Sequence, residues 1–280
     1  MSDVALEAER RLDAGTRPAP TGRLRRVVAQ GALGLMLPLS VGIGWELAAA
    51  NGLVAVNLLP PPSAILRVLG DLLASGDLVV HVGATLGRVL FGFACGALAA
   101  TALGALTGYA DTARRLLDPT LQALRSIPSI AWVPLFILWF GIFETSKVLL
   151  IAVGTFFPVY LALVAGIRGV DRKLIEVGRV LRFGHARMVG RILLPAVLPT
   201  WLIGLRGGLG LGWMFVVAAE FMGASEGLGY LLIDGQQTGR AAAILASILS
   251  FAVLGKLTDA ILVATGRRFV AWQDSVDTVR

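Results

Sequence analysis

Cysteine is nearly absent from this sequence: Cys95, inside an apolar run, is the only one. A lone cysteine excludes a disulfide framework and a cysteine-based metal site within one chain, and reads as a small packing residue. Histidine is almost as rare. His81 and His185 each lack a second ligand at helical spacing, so no metal site is expected. Charge is scarce too, at 15% of residues, against about 25% in a soluble domain. The G-x-x-x-x-G-K-[ST] phosphate loop is missing altogether; Gly255-Lys256 lies in an apolar run and lacks the upstream glycine. If nucleotide hydrolysis drives this protein, another chain performs it. No His/Glu pair, Ser-Lys dyad or Asp pair sits at matching depth in two apolar segments, which speaks against an intramembrane enzyme.

What is present points to the bilayer. The chain of 280 residues is 56% hydrophobic and carries 34 glycines, the composition of a polytopic membrane protein. Its net charge of +7 is split among short segments between apolar runs, so nucleic acid is not an expected partner. Residues 1–26 are polar and read as a tail. Val27 to Ala50 is the first apolar segment. Ala48-Ala49-Ala50 resembles a cleavage site, but the tail is too long and the run exceeds the h-region of a signal peptide, so a retained first span is expected. Pro60, Pro61 and Pro62 then stop the chain, and Ser63 is placed to cap a short amphipathic helix carrying Arg67 and Asp71. Further spans are expected over Val82–Ala110, over Leu121–Phe143 with bends at Pro128 and Pro134, and over Val148–Ile167, Ile192–Ala219 and Ala241–Ala264. Glu220–Arg240 reads as a polar, glycine-rich connection. With six spans both termini share a side, and 18 of the 25 Lys and Arg fall in the segments of that side, which predicts cytoplasmic termini. The expected divisions are a tail over 1–26, a permeation domain over 27–268 and a second tail over 269–280.

Two of these spans carry small residues at every fourth position: Gly92, Gly96, Ala100, Gly104 and Gly108 in one, Gly204, Gly208 and Gly212 in the other. Such stripes let helices approach closely, and the two faces are expected in close helix contact within a dimer. Charges inside spans are costly and suggest pairing or function. Lys256 and Asp259, three residues apart, are expected to pair with each other. Arg206 and Arg88, with Trp213 and Trp139, are the candidates for lining a translocation path. Glu220 would repel an anion and is expected to tether the outer connection.

The densest positive charge falls in Asp171–Pro199, DRKLIEVGRVLRFGHARMVGRILLPAVLP. Its apolar residues recur at spacings of three and four, which predicts a short amphipathic helix, a turn near Gly184, and a second helical piece running towards Pro195. Such a helix could simply lie on anionic lipid. Its spacing resembles the EAA loop of ABC-importer permeases: EAA, three residues, Gly, nine residues, Ile-x-Leu-Pro. Glu176-Val177-Gly178 stands at the triplet, and Ile192 with Leu194 and Pro195 at the end. Arg182 occupies the position of the family glycine, with Gly184 two residues on, so the turn is expected to shift. LLPPPSAIL, ASGDLVVHVGATLGRVLFGF, IPSIAWVPLFILWFGIFETSK, AAEFMGASEGLGYLL and AVLGKLTDA also resemble the nitrate/sulfonate/taurine group of these permeases, and most of all the aliphatic sulfonate branch.

That resemblance implies an all-α polytopic membrane protein of six transmembrane helices, in the type I ABC importer (MetI-like) permease fold with cytoplasmic coupling helices. It implies a bacterial inner-membrane location among lipids, a second permease copy as a homodimer, two ATPase subunits that bind the ATP and Mg, and a periplasmic or lipid-anchored substrate-binding protein. The chain itself would hold no cofactor. The cargo implied is an aliphatic sulfonate-type anion, with taurine, nitrate or another small anion or metabolite as the alternative. An ion-coupled secondary transporter is the lower-ranked reading, since no inverted repeat relates the two halves. In the coupling loop, 171–195, the resemblance assigns ATPase contact to Arg172, Lys173, Leu174, Glu176, Val177 and Gly178, then Gly184 and His185, then Ile192, Leu194 and Pro195. Glu176 is expected to accept hydrogen bonds that hold the two short helices together.

Overall fold

The computed structural model describes residues 36–270, with the backbone alone for His185 and Ala186. The expected N-terminal tail, the start of the first span and nearly all of the C-terminal tail lie outside the described residues. Among those described there is no strand. They divide into two compact units after Ala64.

In the first unit, α1 (Met36–Ala50) is an apolar helix. Its Leu37, Ile43 and Leu47 are exposed, as suits a helix in hydrocarbon. The three prolines end the turn that follows. Ser63 does not cap the next helix, α2 (Pro62–Ser75); Glu46 does. Its carboxylate accepts the Ser63 N–H at 3.0 Å and the Ser63 hydroxyl at 2.7 Å, satisfying a donor of the first turn.

The second unit continues α2 and adds α3 (Asp77–Tyr109), α4 (Asp111–Arg125), a 3-10 turn (Ser129–Trp132), α5 (Val133–Phe140), α6 (Glu144–Arg168), α7 (Arg172–Val180), α8 (His185–Met188), a π-turn (Val189–Leu193), α9 (Leu194–Phe221), α10 (Leu228–Gln237) and α11 (Ala241–Phe269). Four of the described stretches are long and apolar enough to cross a membrane: Asp77–Tyr109, Glu144–Arg168, Val189–Phe221 and Ala241–Phe269. At about 1.5 Å per residue, even the shortest exceeds the roughly 30 Å of hydrocarbon.

The expected span over Leu121–Phe143 takes another form. Helix α4 starts ten residues earlier, at Asp111, and meets the following pair of turns at 90°. A residue preceding proline is disfavoured in helical geometry, so Pro128 stops the helix at Arg125 and Ser126. Pro134 bends nothing: it sits in the first turn of α5, where its missing N–H costs nothing. The connection after Glu220 also holds more order than its polarity suggested, since α10 lies within it.

Helix α6 is the centre of this unit. The glycine stripes of α3 and α9 do not meet each other, as the sequence had suggested; each packs on α6, and α3 and α9 touch each other far less. A side chain at Gly92 would strike Ile151 at 2.7 Å, and at Gly104 it would press on Leu163 at 3.1 Å. At Gly108 it would strike Ile167 at 2.7 Å. At Gly96 the obstacle is the Ala152 carbonyl, which no rotamer change removes. From the other side, a side chain at Gly208 would meet Val159 at 2.9 Å, at Gly212 the Thr155 hydroxyl at 3.3 Å, and at Gly204 it would collide with Ala162. Two fully buried clusters result, around Leu150, Ile151 and Val216 and around Val159, Tyr160 and Ala100. Cys95 is not in either; it is exposed on the flank of α3.

Candidate functional site

Three polar constellations stand out against this apolar frame. The first is the loop between α6 and α9. The Asp171 carboxylate accepts the Lys173 N–H at 2.9 Å and caps α7. At the other end of α7, Arg182 donates its N–H to the Arg179 carbonyl and Phe183 donates to Gly178, both at 2.9 Å. That pair of bonds is the Schellman closure, which needs a left-handed residue. Arg182 supplies it, at φ 53°. The turn has therefore not shifted to Gly184, which keeps ordinary φ and has open space where a side chain would stand. Arginine carries strain that glycine would not.

Helix α7 rests most closely on the next element at Gly178. A side chain added at Gly178 would strike Ile192 at 2.6 Å and Met188 at 2.7 Å, so this third residue of the triplet is where the two pieces touch. The second piece is no separate helix. It widens into the π-turn and runs straight on into α9. Pro195, in the first turn of α9, has no N–H to give to the carbonyl four residues back; one residue earlier, Leu194 donates to the Val189 carbonyl, five residues back. The outer side of α7 leaves Leu174, Val177, Val180 and Leu181 exposed, between 46% and 82%, among Arg172, Lys173 and Arg179. Glu176 is exposed, and no described side chain or backbone N–H donates to it, so it does not hold the two pieces together as expected. The His185 side chain lies outside the description. Beneath the loop, a cavity of about 390 Å³ runs between Ile175, Arg179, Phe183 and the ends of α3 and α6.

The second constellation binds the far end of the unit. Arg88 is 5% exposed and fully engaged. Its guanidinium donates to Glu144 at 2.6 and 2.8 Å, to Glu220 at 2.8 Å and to the Glu226 carbonyl at 2.7 Å. Lys147, also buried, donates to Glu144 at 2.8 Å. Glu220 is wholly buried and accepts from Thr85 at 2.7 Å and from the Gly229 N–H at 2.6 Å. Thr85 in turn accepts the Leu228 N–H at 2.8 Å, and His81 Nδ1 accepts the Gly227 N–H at 3.0 Å. The head of α10 is thus capped by side chains of α3 and α9, and Glu220 tethers the connection. Arg88 is a locked interior group and does not line a path.

The third joins the middle of α9 to the second half of α11. Arg206 forms a two-pronged pair with Asp259, at 2.6 and 2.9 Å. Asp259 is taken by this partner across the helices, not by Lys256 on its own helix; Lys256 is exposed and pairs with no described residue. Trp213 is interior, 9% exposed, and donates its Nε1–H to Thr258 at 2.9 Å, so it too leaves the list of path candidates. Trp139 is 59% exposed on α5.

The comparisons with known proteins decide the class. Residues 92–270 match the family model of the binding-protein-dependent transport system inner membrane component. The chain belongs to this family. It is 42% identical over 244 residues, 87% of this chain and 88% of the relative, to the protein named SsuC, aliphatic sulfonates transport permease, of Bacillus subtilis (strain 168). Identity to the SsuC protein of Escherichia coli (strain K12) is 35% over 84% of this chain and 90% of that one. Among solved structures, the MetNI methionine ABC transporter in an inward-facing conformation matches with a TM-score of 0.58 over 71% of this chain and 96% of that one, at 20% identity, which speaks for the fold. The chain is therefore a multi-pass membrane transport permease of the ABC-importer fold. Sequence reasoning missed the second constellation. The available signal was charge balance: an arginine and two carboxylates, each costly in lipid, near the same end of three neighbouring spans.

Proposed function

We propose that two copies of this permease, with both termini cytoplasmic, form the passage of an importer for aliphatic sulfonate anions, driven by two ATPase subunits and loaded by an external binding protein. The observation that carries the coupling is the loop: an amphipathic helix with an exposed apolar ridge among cations, seated by Gly178 on a turn continuous with α9. A partner that covers Leu174, Val177 and Val180 gains the burial the chain itself does not give them. A push on α7 reaches Ile192 and Met188, and through α9 the glycine contacts with α6. The sulfonate assignment rests on the similarity to the two SsuC proteins and on the cations available; a sulfonate presents three acceptor oxygens to Arg donors.

The test is copurification with the ATPase, and binding-protein-stimulated ATP turnover in vesicles, for Glu176→Ala and Gly178→Trp. Glu176→Ala removes an exposed acceptor available to the ATPase; losing a hydrogen bond to a charged group costs about 1.5–3 kcal/mol, a fall in complex of roughly ten- to a hundredfold. Gly178→Trp forces α7 off its seat. Both variants should reach the membrane and lose stimulated turnover. Wild-type assembly and turnover in both would remove the loop from the mechanism. A strain lacking this chain and every other sulfonate uptake route should fail on alkanesulfonates as its sulfur source; if it grows there and fails on nitrate, the cargo is nitrate.

A further inference from the structure

The pair between α9 and α11 lies at mid-membrane depth. Arg206 stands about 18 Å from the start of α9 and about 22 Å from its end; Asp259 stands about 27 Å from the start of α11 and about 15 Å from its end, with Lys256 closer to the middle. Yet this pair is open: the side chains of Arg206 and Asp259 are 56% and 23% exposed. Lys256 is exposed one turn before Asp259. Gly210, one turn beyond Arg206, has nothing within 4 Å of where a side chain would begin. Two cations and one carboxylate cannot face lipid at this depth without large cost, so this face meets water. It carries one positive charge in excess. The contrast with Arg88, whose four acceptors leave nothing to offer, is complete.

We propose that Arg206, Asp259 and Lys256 are a binding site for one small monovalent oxyanion within the passage, working by exchange of partners. The inference rests on the reading of an organosulfonate cargo. Two oxygens of the anion take the place of the Asp259 carboxylate on the Arg206 fork. Asp259 turns to Lys256, which lies three residues back on the same helix and within reach. Empty, the three groups sum to one positive charge; loaded, the site is neutral and strands no carboxylate. Return of Asp259 to Arg206 expels the anion, so the site holds its cargo without trapping it. A cationic group on the cargo would meet Lys256, so a plain alkanesulfonate is preferred to an amino-sulfonate.

The experiment uses the complete transporter in vesicles, in a Cys95→Ser background, since Cys95 is the only cysteine. Gly210→Cys is treated with anionic sulfonatoethyl and cationic trimethylammonioethyl methanethiosulfonate, each rate divided by that of a free thiol. The anionic reagent should be favoured by at least about tenfold, the scale of charge focusing in a cleft. Ethanesulfonate should slow it, Arg206→Gln should abolish the preference, and Asp259→Asn should raise it. Lys256 has no described partner to strand, so Lys256→Gln, expected to lower the preference severalfold, keeps the test open if the Arg206 variant does not assemble. No reaction with either reagent, or a preference unchanged in Lys256→Gln, overturns the site. Uptake of alkanesulfonate is read in the same vesicles. Anion preference without that uptake upholds the site and discards the sulfonate reading; uptake without preference upholds that reading and discards the site.

Discussion

Arg88 and Arg206 are the same residue in the same kind of helix, and their surroundings make opposite things of them. Arg88 is buried, with two carboxylates and a carbonyl around it. Arg206 has one carboxylate, on one side, and more than half of its side chain is open. A buried cation with several fixed acceptors is a fastener, because removing any one strands the rest. An open pair is cheap to break, because water and passing ions can replace either partner. Within one membrane unit, the number of acceptors and the access of solvent separate a fixed arginine from an open one.

Breaking the fastener should have the largest effect. Glu220→Ala takes one of the two carboxylates from Arg88 and leaves the Gly229 N–H unpaired, and a broken buried pair costs about 3–5 kcal/mol. The expected outcome is loss of a defined melting transition, read by thermal shift. Next comes the packing that frames both arginines. Gly96→Leu would drive its side chain into the Ala152 backbone, and Gly208→Leu into Val159. Overpacking of a close contact costs about 1–3 kcal/mol, so both should melt earlier yet remain folded; normal melting would show the α6 contacts to be slack. The converse prediction is the absence of a stability effect at the open pair. Arg206→Leu with Asp259→Leu should assemble and melt like the wild type while anion uptake falls; a melting loss as large as that of Glu220→Ala would erase the distinction between the two arginines. The smallest effect belongs to the loop. Arg182→Gly relieves a left-handed arginine and should stabilise locally by about 1 kcal/mol, seen as slower amide exchange at Arg182 and Phe183.

Periodicity and hydropathy made most of the helices legible, because lipid imposes its own length and polarity on whatever crosses it. The small-residue stripes were legible as close-packing faces for the same reason. Their partner was not: a stripe states how near a neighbour may come and says nothing about which helix arrives, and α6 intervened between the two. The ion pairs went unread in a similar way. Local spacing favoured Lys256 with Asp259, but the fork of Arg206 reaches across to α11 and takes the carboxylate at two points. Glu144, in the first turn of α6 and three residues before Lys147, gives no sign in its local spacing that it is half of the Arg88 clasp. The loop was legible in place and amphipathic character from one motif, but not in the contacts of Glu176, which accepts no described hydrogen bond, nor at its turn. There the backbone kept the left-handed geometry at position 182 despite the arginine, since the two closing hydrogen bonds depend on it. Glycine would have been easier, but the closure does not require it.

The spacing of the Arg88 partners along the chain has a consequence for how the protein is made. Glu144 lies 56 residues after Arg88 and Glu220 lies 132 after it. At roughly 5–20 residues per second of synthesis, Arg88 waits about 3–11 s for its first counter-charge and about 7–26 s for the second. During the first interval α3 carries an unmatched cation, and during the second Glu144 alone neutralises it, with Lys147 drawing on the same carboxylate. Biogenesis thus has a window in which the half-built unit is held by one exposed glutamate.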